Sequence, residues 1–358
     1  MAFSFKNILP SDISYQTEPV HEAIPITGTI FSGAFAAASN VKTYTHGMFQ
    51  SLYDYTFTQA SANHLLDITF GFCSGSTGFE NTSSADYSKK VQIYNQMAQV
   101  LSGYDTNNQI RQFDEDGQLS ANSSGVKIRN AAFINFSRLL SKDGIKKGTF
   151  QLDFYTGGTT GSRSDLTTIS DYTATSSYKT NSPAGEYGIL YGYNYQATPD
   201  TTTPVGLIFY QAGVAVIQYA TSSITGLSSG SADMFVNGGY PSGTITAATA
   251  VENLTINQIA TSVRQRIHNL SFNNTVDINS TFYLCSLGYN DFNYSSNPTY
   301  TSGSKIQVKN FAKDPPVSYI TTIGLYSPNN ELLAVAKLSE PIKKTPTTPV
   351  QIKVRVSY

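Results

Sequence analysis

The closing stretch, Val350-Gln-Ile-Lys-Val-Arg-Val-Ser-Tyr358, constrains the fold more than any other segment. Its apolar residues Val350, Ile352, Val354 and Val356 alternate with Gln351, Lys353, Arg355 and Ser357. A period of two belongs to a β-strand with one face on a core and the other in water. Upstream, residues 317–326 and 331–339 read as two more strands around Ser327-Pro-Asn-Asn330. Proline presets φ for the turn, and asparagine tolerates left-handed backbone. The expected core of this region is Leu325, Leu333, Val335, Ile352, Val354 and Val356. A chain that closes inside a strand has its terminus tied down, which suits a part built into something larger.

The rest of the chain extends the β reading. Strands are expected at residues 65–70, 130–136, 149–155, 187–195 and 281–287, with a hairpin over 207–217. Phe150, Leu152 and Phe154 fall on one face of theirs. Two segments carry helical spacing instead. From Ser88 to Ser102, Ile93, Met97, Val100 and Leu101 form one face, Ser88 can serve as N-cap and Gly103 as C-cap. From 255 to 269, Thr255 and Gln258 match a capping box, and Ile259, Val263, Ile267 and Leu270 form a stripe. Residues 137–147 are either a short helix or a loop. Residues 156–183 and 221–250 hold mostly Gly, Ser, Thr and Ala, and read as long solvated excursions.

These elements predict a mainly β chain with two short helices (α+β), antiparallel sandwich-like sheets and long Ser/Gly/Thr loops. The composition shifts suggest four parts. Residues 1–40 form an N-terminal segment, either an arm that docks on a neighbour or a strand with a lead-in. Residues 41–155 form a β-rich domain with one helix. Residues 156–310 form a second such domain with long loops, and 311–358 a C-terminal hairpin plus closing strand.

Composition narrows the function. Charged residues are 13% and the net charge is -1, so the clustered Lys/Arg that capture nucleic acid are missing and no nucleic-acid partner is expected. No apolar run approaches the ~20 residues of a membrane span, so no membrane partner is expected either. Met1-Ala-Phe-Ser-Phe-Lys6 lacks the apolar segment of a signal peptide, which leads us to expect synthesis in a cytoplasm. Trp is absent, while there are 24 Tyr and 20 Phe, more than the cores would need. Tyrosine offers a large contact area with few rotatable bonds and a polar tip, so some of these aromatics should lie at interfaces. Tyr289, Phe292, Tyr294 and Tyr300 are the candidates, because they crowd an Asn/Ser/Pro segment that reads as loop.

No catalytic, metal or cofactor constellation emerges, and none is assigned. His21, His46, His64 and His268 stand at no metal-ligand spacing. Cys73 and Cys285 lie far apart in apolar surroundings, and read as buried free thiols. Gly226-Leu-Ser-Ser-Gly230 matches a nucleophile elbow in letters only, since its flanks are loop. Asp114-Glu-Asp-Gly117 lacks the further oxygens of a calcium loop and reads as a turn. Lys343, Lys344 and Arg355 read as a solvated strand edge.

The stretch "YITTIGLYSPNNELLAVAKLSEPIKK", residues 319–344, resembles the closing segment of virion structural proteins from marine contractile-tailed bacteriophages. It is similar, more loosely, to an "IGLYD…GELIAVA" hairpin of phage tail-fibre and baseplate proteins. Residues 90–101, 206–213 and 291–300 point the same way, so the resemblance spans most of the chain from about residue 65. These are packing and turn motifs that carry lineage and no chemistry. The resemblance implies a structural subunit of a virion, in the tail, baseplate or neck. Its partners would be copies of itself in a symmetric oligomer and other virion proteins. The alternative is a receptor- or carbohydrate-binding β module of a fibre or decoration protein, with Tyr172, Tyr178 and Tyr240 stacking on sugars. A tailspike-like depolymerase should show internal repeats, and none is evident, so no enzyme is expected.

Overall fold

The computed structural model of the chain describes residues 5–24, 38–75, 81–119, 126–155, 166–218, 253–294, 301–302, 305–306, 313 and 315–358. Its first strands are β1 (Ile13–Ile24), β2 (Val41–Thr43), β3 (Gln50–Tyr53) and β4 (His64–Phe72). Helix α1 (Tyr87–Leu101) leads to β5 (Phe113–Asp114), β6 (Lys127–Ile128) and β7 (Asn130–Phe136). A short helix α2 (Arg138–Ser141) precedes β8 (Gly144–Ile145), β9 (Gln151–Tyr155) and β10 (Leu166–Ser170). Then come β11 (Lys179–Ser182), β12 (Gly185–Asn194), β13 (Pro204–Phe209) and β14 (Val214–Gln218). Helix α3 (Ile256–Arg266) runs directly into β15 (Ile267–Leu287). The chain closes with β16 (Thr301–Ser302), β17 (Lys305–Ile306), β18 (Ser318–Tyr326), β19 (Leu332–Lys344) and β20 (Val350–Ser357). The chain is thus mainly β, and its sheets are antiparallel.

The chain divides into two compact units, His21–Val276 and Met1–Val20 with Asp277–Tyr358. The composition-based boundaries at 40, 155 and 310 divide it differently. Residue 155 ends β9, whose partner β10 lies just beyond, and the register Leu152↔Ile169 binds the two sides together.

In the unit His21–Val276 the strands follow the order β15-β9-β10-β12-β13-β14-β7-β4-β3-β2, with β11 on β12 and β8 on β15. The middle strands read as nearly continuous apolar runs because both faces are covered. Leu66, Ile68, Phe70 and Phe72 of β4 join Ile259, Ala260 and Val263 of α3 in one core. Phe133 of β7, Phe209 of β13 and Val216 of β14 join Ile93, Tyr94, Ala98 and Leu101 of α1 in the other. Gly71 lets α1 settle on the sheet, since a Cβ there would stand 2.7 Å from Lys90 O and Tyr94 N. The sheet also folds over on itself. Phe136 of β7 meets Phe150, which leads into β9, at 5.9 Å and Phe272 of β15 at 5.2 Å between ring centroids. Those strands stand at the far end of the sheet order, so the layers are sandwich-like.

Several local expectations change. The residue before α1 is Asp86, in left-handed backbone with φ of 56°, rather than Ser88. Val100 is exposed, while Tyr94, Ala98 and even Lys90 turn inward. The α3 stripe is buried throughout, but Ile267 and Leu270 belong to β15, because the chain extends without leaving that core. Residues 166–170, expected to be solvated, form a fully buried strand. Two of its hydroxyls are matched: Thr168 Oγ1 donates to Asp153 Oδ1 at 2.7 Å, and Ser170 Oγ meets Tyr193 OH at 3.1 Å. Polar residues can fill a central strand when each finds a partner. Residues 13–24 form a strand beside β15, the second of the two alternatives for the N-terminal segment. Phe154's side chain and residues 221–250 lie outside what is described.

In the unit Met1–Val20 with Asp277–Tyr358, β20 pairs with the second half of β15, and Val354 stands opposite Tyr283. The closing alternation holds: Val354 is buried at 7% exposure, and Ile352 and Val356 are half-buried. The hairpin β18–β19 forms a separate two-stranded sheet. Leu333 and Val335, expected in the core, are exposed at 69% and 53%, and Leu325 is half-buried. Alternation identifies the strand, but with no second layer described over this hairpin neither face becomes an interior.

Candidate functional site

The aromatic loop that follows β15 is held by a single ammonium. Lys344, at the end of β19, is fully buried. Its Nζ donates to Asn293 Oδ1 at 2.9 Å, to Thr345 O at 3.0 Å and to Tyr289 O at 3.2 Å. Three acceptors match the three protons of a lysine, which is how a buried ammonium is tolerated. Asn293 Nδ2 closes the ring by donating to Tyr289 O at 2.8 Å. Ser318 Oγ, at the start of β18, donates to Phe292 O at 2.5 Å.

The start of the loop is fixed as well. Gly288 N donates to Asp291 Oδ2 at 2.8 Å, and Lys6 pairs with the same carboxylate. The Lys6 hydrogen bond, helped by Gly288 N, holds the Asp291 carboxyl below its ordinary value. Phe292 sits in left-handed backbone with φ of 50°. A bulky residue there is uncommon and persists only where the surroundings hold it. The bonds through Phe292 O and Asn293 do so.

What this framework presents is apolar. Tyr289, Phe292 and Tyr294 are 58%, 42% and 56% exposed. These three sequence candidates therefore share one pinned loop. The fourth, Tyr300, lies outside the described residues. Lys344 was missed, because it reads as one of two solvated edge lysines. A signal was present: period-two alternation places Lys344 on the same side as Ile342, the less exposed one. Lys343 is exposed as expected, and Arg355 reaches Glu18 at 2.6 Å.

The other sequence candidates resolve into structural roles. Asp114 forms a buried ion pair with Lys127 at 2.5 Å, and Gly117 N closes a turn on Asp114 O at 3.2 Å. His46 stacks on Tyr44, His21 meets Thr275 Oγ1 at 3.1 Å, and the His268 ring packs edge-on to Tyr195. His64 Nε2 lies 2.8 Å from Asp67 Oδ1, a hydrogen bond that raises its pKa. Cys73 and Cys285 are free but half-buried rather than buried, and burial pushes both thiols up, away from the reactive thiolate. Among the described residues no three His, Cys, Asp or Glu side chains gather in a metal-binding group. No helix among them is long and apolar enough to cross a membrane. The Gly226–Gly230 motif lies outside the described residues.

Comparison with family models, with curated proteins and with solved structures finds no match to this chain.

Proposed function

We propose that this chain is a structural subunit of a bacteriophage virion, in its tail, baseplate or neck. It works through contacts with copies of itself and with other virion proteins, and it performs no catalysis. The observation that carries this reading is the pinned loop. Three large aromatic side chains stand in solvent on a backbone fixed by a buried lysine. Rigid aromatics lose little entropy when covered, and they are enriched where proteins meet. The resemblance of residues 319–344 supplies the virion setting.

The test is a cryo-EM map of the purified particle, with a variant carrying Tyr289→Ser, Phe292→Ser and Tyr294→Ser beside it. The wild-type loop should lie against a neighbouring subunit, and the variant should fold normally yet be depleted from particles. A loop facing solvent on every copy would sink the reading, as would a purified chain that cleaves a surface polysaccharide.

A second reading, a carbohydrate- or receptor-binding module, draws on Tyr172. Its ring is partly exposed and stands edge-on to Tyr191 and Tyr193 at 6.0 and 6.2 Å. Tyr178 lies partly exposed under the Lys147 ammonium, and Tyr240 is outside the described residues. A distal location on the particle, with binding to host-surface glycan that Tyr172→Ala abolishes, would favour this reading over the first.

A further inference from the structure

We infer that the outer edge of β18 pairs with the same edge of a second copy of this chain. The inference rests on the contact reading and names a partner and a surface for it. Strands β18 and β19, of nine and thirteen residues, form a sheet in which neither outer edge meets another described strand. Such edges present unpaired N–H and C=O groups, and proteins normally guard them with charge, proline or bulges.

The two edges are guarded very differently. The register passes from Ile320↔Ile342 to Thr322↔Lys337, so residues 338–341 of β19 bulge against one residue of β18. That bulge contains Glu340 and Pro341, between Lys337 and Lys343. Proline offers no N–H to a new strand. The β18 side carries neither charge nor proline. No charged residue occurs from 315 to 330, and Ser318–Tyr326 holds no proline. Its Tyr, Ile and Thr residues favour the extended state. Tyr319, Thr321, Thr322 and Tyr326 are all exposed. This is the edge built to accept a strand.

Three features select a second copy as that strand. Two-fold pairing requires residue i to meet j while j meets i. Read from either end, β18 runs Tyr, aliphatic, small: Tyr319 answers Tyr326, Ile320 answers Leu325, and Thr321 answers Gly324. Exposure matches within these three pairs, with the tyrosines, Thr321 and Gly324 exposed and Ile320 and Leu325 half-buried, and differs only at the centre, where Thr322 is exposed and Ile323 half-buried. Because the strand is uncharged, two copies do not repel. The pairing also closes. Joining two hairpins through β18 gives a four-stranded sheet whose outer edges are both β19, the guarded strand, so association stops at two.

The experiment is sedimentation velocity of the full chain over a range of concentrations. Thr321 is the site to charge, because it has no opposite residue in its own hairpin. Wild type should dimerise. Thr321→Lys and Thr321→Glu should each weaken self-association by at least about tenfold, since like charges would meet near the two-fold axis. An equal mixture of the two variants should dimerise again, which unfolded variants could not do. Leu333→Lys, on the exposed face of β19, should leave the dimer intact. A wild-type monomer at every concentration overturns the proposal. So does a Thr321→Lys dimer as tight as wild type, or a dimer that Leu333→Lys alone dissolves. Each of these results leaves the contact reading standing, which fails separately if particles lack the chain or its aromatic loop faces solvent.

Discussion

The Lys344 ammonium and the Asn293 side-chain oxygen, 2.9 Å apart, join the end of β19 to the loop that displays Tyr289, Phe292 and Tyr294. Because Lys344 is buried and bonds three acceptors, its removal leaves groups that water cannot easily reach. Lys344→Met should cost about 1–3 kcal/mol in a denaturant titration. Limited proteolysis should then cut within residues 289–294 far faster than in wild type. If the variant is as stable and as resistant as wild type, the ammonium is not what fixes the loop.

A pair of aspartate substitutions separates true core from exposed alternation. Val354 is buried against β15 opposite Tyr283, and a carboxylate there would have no partner. Val354→Asp should cost more than about 2 kcal/mol. Leu333→Asp should change stability by no more than about 0.5 kcal/mol, as exposed substitutions do. Thermal melts of the two variants check both halves. Equal losses would mean that the β18–β19 hairpin has a packed face after all.

Much of the architecture was legible wherever a local pattern has a local cause. The Thr255–Gln258 capping box forms as read, with Thr255 Oγ1 accepting from Gln258 N and Gln258 Oε1 accepting from Thr255 N. The hairpin of β13 and β14 turns at Gly213, where φ is +67°, and β20 keeps its alternation. What could not be read depends on distant partners. The buried state of Thr168 and Ser170 rests on Asp153 and Tyr193, which lie elsewhere in the chain. The exposure of Leu333 depends on what does not pack over it. Of the candidate site, the aromatic residues were legible from composition, whereas the lysine that fixes them looked like any edge lysine.

Gly71 carries the packing of α1 on the sheet. A methyl group there would press on backbone atoms of Lys90 and Tyr94 at 2.7 Å, and backbone cannot rotate away as a side chain can. Gly71→Ala should cost about 1–3 kcal/mol, the usual cost of overpacking a core. It should also loosen α1, seen as faster amide exchange across residues 90–101. Unchanged exchange would place the helix higher above β4 than this contact implies.

His64 makes stability depend on pH in a direction that can be worked out. Its hydrogen bond with Asp67, aided by that carboxylate's charge and opposed by partial burial, raises the folded-state pKa above the ordinary 6.5. A raised histidine pKa means that the folded chain binds the proton more tightly than the unfolded chain. The stability this adds is fully present below the ordinary value and is lost as pH rises through the folded value. Denaturant midpoints measured from about pH 5.5 to about pH 8.5 should therefore fall more steeply for wild type than for His64→Gln. The glutamine variant keeps a hydrogen-bonding side chain but cannot gain the charge. If both proteins show the same slope, or if wild type gains stability relative to the variant as pH rises, the His64–Asp67 contact does not favour the protonated ring.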